Sequence, residues 1–563
     1  MGKWIGFVWM MLATVARGQN ERYDVLISEV MADPSPVVGL PNAEYIELKN
    51  VSGKIIDLNK WKISNGTNTA IINSSLILPP DSLVVICSRT QVMLFDSTLR
   101  IFGITSFPTL INESGTVILL APDGKTIHAM AYRASMHENA IKADGGWSFE
   151  IMDYLEPCRS DNWQSSRHPK GGTPGKTNSN PSERLPINRL EALQCLATSP
   201  HTLLLQLNQG GDSLSMTNPG NFNISPAHTQ VVTAQPLPPF FREIKLTLKL
   251  PLRDTGLYTI VGNGIRYCKG IGQDSIRAVT GMSSLPAKGD LLINELLFNP
   301  TPDGADFLEI MNPSRKVFNS KDILLATKNS LGLITAAFPA GTHERIIFPG
   351  DHLVFTTDTA YLSKKWSPVN SKLVVKMDAM PSLPDDKGNI TILNRQGEEL
   401  DAFDYTDDMH FPLLANKEGV SLERIDSKSP TDKASNWHSA SSSSQYGTPT
   451  KQNSQYSSNK VPESPFRIAP TIISPNNDGN DDFITIQYQF NEPGNLLSAI
   501  LFNQQGILMG RVINNQLCGT SGSFHWNGSF SNQVLPKGVY ILLVETVSLQ
   551  GRITKTKMMI GLK

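Results

Sequence analysis

Apolar and polar residues alternate along most of this chain with the period of a strand. "TVILLAPDGKTIHAMAY" (116–132) is an apolar run, a Pro-Asp-Gly turn and a second alternating run, which predicts a hairpin. "SLVVICS" (82–88) and "HLVFTTD" (352–358) are short runs rich in β-branched and aromatic residues between polar neighbours, again strand-like. In "EYIEL" (44–48), Ile46 and Leu48 fall on one strand face while Tyr45 and Glu47 share the other. In "DFLEI" (306–310), Leu308 and Ile310 take the apolar face, with Phe307 and Glu309 opposite. Neither region holds a helical period for three turns, so the pattern predicts β-sandwiches.

These two stretches belong to a longer repeat. Ile27-Ser28-Glu29 matches Ile293-Asn294-Glu295, and Asp33-Pro34 matches Asn299-Pro300. "EYIELKN" matches "DFLEIMN", "PDSLVV" from Pro80 matches "GDHLVF" from Gly350, and the hairpin from Gly115 matches the one from Gly388. "GWSFEI" from Gly146 meets "GVSLERI" from Gly419, Asn162-Trp163 meets Asn436-Trp437, and Gly172-Thr173-Pro174 meets Gly447-Thr448-Pro449. Blocks recurring in one order mean two copies of one domain, placed at 19–176 and 288–452. Residues 188–285 form a different strand-rich unit, 453–465 read as a flexible linker, and 466–563 form a last unit. The expected fold is all-β: tandem immunoglobulin-like β-sandwiches joined by flexible linkers.

Residues 1–18 place Lys3 before an apolar run from Trp4 to Val15 and the small residues of Ala16-Arg17-Gly18, the pattern of a secretory signal peptide. No later segment reaches the ~20 apolar residues a membrane-crossing helix needs. The expected location is therefore secreted, extracellular or on the outer-membrane surface. Fifty-one acidic residues face 50 basic ones, so no global field favours nucleic acid. An oxidising destination permits a disulfide. Of the five cysteines, Cys195 and Cys268 are the preferred pair because both fall in 188–285; the alternative is that all five are small core residues.

Candidate chemistry is sparse. Glu29, Glu47, Glu295 and Glu309 sit within apolar alternation, where a carboxylate must be hydrogen-bonded or paired. Two carboxylates across a cleft can hydrolyse glycosides, but a small sandwich rarely supplies the cleft, so a structural role is expected. "SPNNDGNDD" (474–482) crowds oxygen side chains around a turn. It fails the EF-hand frame, with Ser474 and Thr485 at the first and twelfth positions, which leaves a looser calcium site through Asp478, Asp481 or Asp482 against a plain loop. The ten histidines form no ligand motif, and no nucleophile elbow, phosphate-binding loop or dinucleotide fingerprint is present. No catalytic, cofactor-binding or metal-binding residue is therefore assigned.

The repeated blocks at Ile27–Asn50 and Ile293–Asn312, the Gly-x-Ser-apolar-Glu block and the closing Asn-Trp and Gly-Thr-Pro resemble the lamin tail domain. That resemblance implies immunoglobulin-like sandwiches that serve as interaction modules on secreted proteins. "LYTIVGNGIRYCKGIGQDSI" (257–276) is similar to a bacterial immunoglobulin-like domain of the surface-layer type. "ISPNNDGNDDF", "FHWNG" and "LPKGVYILLVE" resemble the C-terminal domains of gliding-motility-associated and type IX-secreted proteins. The ending "KTKMMIGLK" lacks the arginine-rich last strand of many such domains. Together the resemblances imply a non-catalytic structural or adhesive surface protein. Its partners would be a protein or cell-surface glycan ligand and, through the C-terminal domain, export machinery. The alternatives are an accessory module for extracellular nucleic acid or polysaccharide, and an enzyme of another type.

Overall fold

A computed structural model of the chain describes residues 20–180, 189–254, 256–267, 272, 274–341, 344–457, 464–476, 478–530 and 533–563. The expected signal peptide at 1–18 and Cys268 lie outside the described residues. The chain divides into two compact units, the first holding Met1–Leu252 and Leu257–Thr280 and the second Arg253–Gly256 and Gly281–Lys563. Each unit holds one copy of the repeat and one further sandwich.

The first copy packs a six-stranded sheet against a four-stranded one. Spatial order in the larger sheet is Trp163–Ser165, Phe149–Ile151, Val25–Met31, Tyr45–Asn50, Leu83–Ser88 and Ile101–Ile104. The smaller sheet runs Thr126–Arg133, Ser114–Leu120, Lys62–Ser64 and Thr69–Ile71. Between the sheets lie Ile27, Val30, Ile46, Leu48, Trp61, Val84, Ile86, Ile127 and Phe149, all buried. Ile46 and Leu48 thus enter the core, as alternation requires, while Tyr45 joins a second apolar cluster on the outer face with Met31, Val85 and Phe95.

The second copy reproduces this order strand for strand: Trp437–Ser439, Leu422–Arg424, Leu292–Leu297, Phe307–Met311, His352–Thr356 and Val374–Lys376. Even the terminal pair is parallel in both, Leu83–Ser88 with Ile101–Ile104 and His352–Thr356 with Val374–Lys376. Leu308 and Ile310 are core residues, and Phe307 packs on the outer face with Leu297 and Trp366.

The intervening unit has strands Ala192–Ser199, Thr202–Leu207, Glu243–Leu248 and Val231–Leu237 in one sheet. Phe222–Ser225, Tyr258–Ile265 and Asp274–Thr280 form its other sheet. The last unit sets Phe466–Ala469, Ile484–Gln489 and Ser521–Trp526 against a five-stranded sheet built on Asn495–Asn503, Gly538–Val547 and Ile553–Leu562.

Two expectations need correction. Cys195 is a free thiol at the centre of its sandwich, pushed up to about 12 by burial, so it is not bridged to Cys268. Among the described residues, Cys158 is disulfide-bonded. It lies at the edge of the first copy, where a Cβ placed on Gly210 of the next sandwich would stand 3.5 Å from its own Cβ. Common membership of a sequence segment was the wrong guide, because a thiol inside a closed core has no partner to meet. The stretch 453–465 also does not begin as a flexible linker. Asn453, Ser454 and Gln455 are hydrogen-bonded into the second copy, and Thr520 of the last sandwich donates from N to Ser454 O (2.8 Å) and from Oγ1 to Tyr456 O (2.6 Å).

Candidate functional site

The four glutamates singled out by alternation are all fully buried. In the first copy Glu29 stands opposite Glu47 on one neighbouring strand and opposite Glu150 on the other. In the second, Glu295 stands opposite Glu309 and Glu423. Each sandwich therefore carries a row of three carboxylates across three adjacent strands. Like charges directly opposite are destabilising unless compensated.

A β-bulge aims the central member. Pairing in the first copy passes from Ile27–Leu48 directly to Glu29–Glu47, leaving Ser28 as the extra residue. Ile27 and Val30 remain in the core, while Ser28 and Glu29 both turn to the outer face. The same slip leaves Asn294 as the extra residue of the second copy. The bulge residue then serves the row: Ser28 Oγ donates to Glu47 Oε1 (2.7 Å), and Asn294 Nδ2 donates to Glu309 Oε1 (2.8 Å).

Most remaining donors come from one strap, the residues that start at Gly-Thr-Pro. Thr173 N donates to Glu29 Oε1 (2.8 Å), Gly175 N to Glu47 Oε2 (2.5 Å), and Ser179 N and Asn180 N to Glu150 Oε2 (2.7 and 3.1 Å). In the second copy Thr448 N donates to Glu295 Oε1 (2.9 Å), Thr450 N to Glu309 Oε2 (2.6 Å) and Gln455 N to Glu423 Oε2 (2.8 Å). Asn178 and Asn453 pin the strap by donating to two carbonyls each, Ser28 and Ile151 O in one copy, Asn294 and Arg424 O in the other. Gly172 lets the strap in, since a Cβ there would stand 2.6 Å from Glu29 Oε1 and 2.7 Å from the Tyr45 hydroxyl.

The geometry favours a proton in each row. Thr173 Oγ1 has a single hydrogen, yet it lies 3.2 Å from Glu29 Oε2 and 3.0 Å from Glu150 Oε1. It can donate to one carboxylate, and only a protonated carboxyl can donate to it. Thr448 Oγ1 lies likewise 3.2 Å from Glu295 Oε2 and 2.8 Å from Glu423 Oε1. Burial raises Glu29 to about 7 against the donors Ser148 and Tyr45, and burial with the Glu29 charge raises Glu47 to about 8. Burial and the charges of Glu423 and Glu309 hold Glu295 well above the usual carboxylate range, and burial raises Glu423.

Alternation found Glu29, Glu47, Glu295 and Glu309 and missed Glu150 and Glu423, which sit on three-residue strands too short to show a period. The signal was present in the matched blocks "WSFEI" and "VSLER", and in the Asn-Ser shared by 178–179 and 453–454. In the loop at 474–482 the carboxylates cap their own backbone: Asp482 accepts from Asn476 N (3.1 Å) and Gly479 N (2.8 Å), and Asp478 from Asn480 N (2.7 Å). Among the described residues no group of three or more His, Cys, Asp or Glu is arranged to hold a metal ion. No described helix is long and apolar enough to cross a membrane.

Duplicated sandwiches, each closed by a strap on a carboxylate row, define the class. Residues 19–134 and 284–407 match the Lamin Tail Domain family. Both matches end before the third glutamate and the strap, so the repeated unit extends beyond the matched regions. No curated protein matches the chain. Among solved structures, the N-terminal part of the bacterial S-layer protein SbsC is 13% identical over 30% of this chain and 41% of its own, with a TM-score of 0.16. A DUF4876 family protein from Bacteroides thetaiotaomicron is 12% identical over 34% of this chain and 79% of its own, at TM-score 0.17. A tetra-tandem repeat from the extending region of a large adhesion protein is 10% identical over 96% and 98%, at TM-score 0.14. The chain spans less than half the length of that S-layer fragment, and at these TM-scores the likenesses carry no argument.

Proposed function

We propose that the chain is a secreted or cell-surface modular protein with a structural or adhesive role, in which the two lamin-tail sandwiches act as rigid interaction modules. The supporting observation is the state of the six carboxylates. All have zero exposure, and each carboxylate is hydrogen-bonded by donors of its own sandwich. Carboxylates in that condition close a fold and present nothing to a substrate. In this reading 188–285 is an immunoglobulin-like spacer of the surface-layer type, and 466–563 is a sorting or anchoring domain that engages export machinery. The ligand is a protein or a cell-surface glycan, and two related modules on one chain raise avidity for a repeated ligand.

Two experiments test the reading. Deleting 466–563 should leave the protein inside the cell, measured by protease accessibility on intact cells; surface display of the truncated chain would overturn the sorting role. The full chain should bind a glycan or cell-surface protein array without turnover. Hydrolysis of any array component, lost in a folded Glu29→Gln variant, would overturn the non-catalytic assignment.

A further inference from the structure

The first unit contains a second group of charge, half-buried, in which two donors are cut off from water without an acceptor. A cavity of about 70 Å³ lies between the first lamin-tail sandwich and the sandwich that follows it, lined by Arg22, Tyr23, Arg159, Trp163, Phe240 and Arg242. A water molecule needs ~10–15 Å³ by the same measure, so the space suits a group of about five heavy atoms.

Arg159 is satisfied by Asp161, with Nε donating to Oδ1 (2.9 Å) and Nη2 to Oδ2 (2.6 Å). Arg22 and Arg242 are not. Arg22 donates from Nη1 to Gly211 O (3.2 Å) and also interacts with the Tyr23 side chain, while among the described residues Arg242 donates no side-chain hydrogen bond. The Nε of each is buried without an acceptor, and neither guanidinium forms an ion pair with a described carboxylate. Asp212, whose charge reaches Arg22, is occupied as the N-cap of the helix Ser213–Thr217. Desolvation lowers both arginines from their ordinary value. A half-buried cation with a donor cut off from water is costly unless an anion completes it.

The backbone around Arg22 is also built at a cost. Its guanidinium lies 4.4 Å from the Tyr23 ring centre and 3.9 Å from that of Phe241. Both aromatic residues sit in the left-handed region, at φ 70° and 55°, which bulky residues rarely enter. The second copy shows the ordinary solution. Gly289 takes the place of Tyr23 at φ 81°, and its N–H donates to Leu400 O as that of Tyr23 donates to Ile127 O. Lys288, in the place of Arg22, is exposed. Only the first copy accepts backbone strain to clamp a guanidinium between rings.

We propose that this cavity binds an oxyanion, the sulfate, phosphate or carboxylate group of a larger ligand, through Arg22 and Arg242. The planar guanidinium matches two oxygens of such a group at once, and the aromatic walls exclude water from the contact. The proposal does not depend on the surface role above.

The test is calorimetric titration of the full chain with sodium sulfate, inorganic phosphate and sodium acetate at constant ionic strength, with sodium chloride as the reference. Saturable binding of one of these anions by the wild type is expected. Sulfate or phosphate alone identifies a tetrahedral group, and acetate a carboxylate. Arg242→Gln should weaken binding about tenfold or more, since a charge-assisted hydrogen bond is lost. Arg242→Lys, which keeps charge without the fork, should fall between and serves as the deciding variant if the Gln form does not fold. No saturable binding by the folded wild type would overturn the site. So would unchanged binding in the folded Gln variant or, failing that, in the folded Lys variant.

Discussion

The two repeated sandwiches share a backbone and a carboxylate row but complete them with different side chains. Position by position, Tyr45 becomes Phe307, Ser28 becomes Asn294 and Gly175 becomes Thr450. The N–H of Ile27 donates to His128 Nδ1 (3.0 Å), whereas that of Ile293 donates to Asp401 Oδ2 (2.8 Å). Behind Asp401 stands Arg424, almost fully buried, where the first copy has Ile151. What stays constant is the glutamates, the bulge and the strap N–H groups. Side-chain donors can be exchanged so long as every buried oxygen keeps one, because an unmet buried polar group costs more than a particular partner gains.

The sharpest break follows from the Asp401–Arg424 pair. Arg424 donates from Nε to Ile293 O (2.7 Å), from Nη1 to Ser429 O (3.0 Å) and from Nη2 to Asp401 Oδ2 (3.2 Å) and to Thr431. Arg424→Ile, which installs the residue of the first copy, leaves the largely buried Asp401 without its cation. It should cost ~3–5 kcal/mol in the second copy. Adding Asp401→His completes the first copy's neutral arrangement and should restore most of the loss. Urea midpoints read by pulse-labelling hydrogen exchange, with peptides assigned to each copy, check both outcomes. No rescue would mean that the two solutions are not interchangeable.

Next come the hydroxyls that bridge two carboxylates. Thr173→Val and Thr448→Val keep shape and remove the shared donor, at a cost of about 1–3 kcal/mol each. The loss should appear in the copy that carries the change and not in the other, measured in the same way. Equal loss in both copies would show that the straps do not close their sandwiches independently.

The rows also set a pH dependence. Glu29 at about 7 and Glu47 at about 8 lie above their unfolded values. Between pH 6.5 and 8.5 the folded first copy holds protons that the unfolded chain has already released. Stability is therefore greater at the acid end and falls as pH rises through 7 to 8, by roughly 1–3 kcal/mol. Glu295 and Glu423 are shifted the same way, so the second copy should follow the same direction. Below pH 6.5 the sign reverses for the buried histidines. Burial lowers His137 and His410 to about 4, and also lowers His438, so stability they contribute above 6.5 is lost as pH falls toward 4. The second copy has two such rings where the first has His137 and Gln164, so they should offset more of the stability its glutamates gain as pH falls. Urea midpoints at pH 5, 6.5 and 8.5 test both limbs, and a flat profile would remove the protonated row.

Much of this was legible in the sequence. Strand alternation placed Ile46, Leu48, Leu308 and Ile310 in the core, and block matching paired Glu29 with Glu295 and Glu47 with Glu309. The bulge was not legible, because an extra residue changes face without changing the apolar count around it. Glu150 and Glu423 escaped because three-residue strands carry no period. Asn178-Ser179 and Asn453-Ser454 were hidden in polar stretches that read as linker, although the asparagines donate to backbone carbonyls and the serines to carboxylates far away in sequence. Composition reports that a segment lacks apolar residues; it cannot report that the segment is held by charge. Arg22 and Arg242 left no pattern, since their meeting depends on how one sandwich follows the next.

The finest comparison is a single hydroxyl. Tyr45 Oη donates to Glu29 Oε1 (2.7 Å), which also accepts from Ser148 Oγ (2.6 Å) and Thr173 N. Phe307 supplies no such donor, and Glu295 Oε1 is left with Ser421 Oγ and Thr448 N. The central carboxylate of the second copy therefore has one donor fewer to stabilise its charge. Tyr45→Phe should convert the first row toward the second. The expected cost is about 1 kcal/mol near neutral pH, from one lost charge-assisted bond partly offset by easier protonation of Glu29. The alkaline fall in stability of the first copy should also move to higher pH, because the proton is held longer. A titration of the Glu29 carboxyl carbon by NMR in the wild type and the variant separates the two effects. An unshifted midpoint would mean that Ser148 and Thr173 alone set the charge of the row.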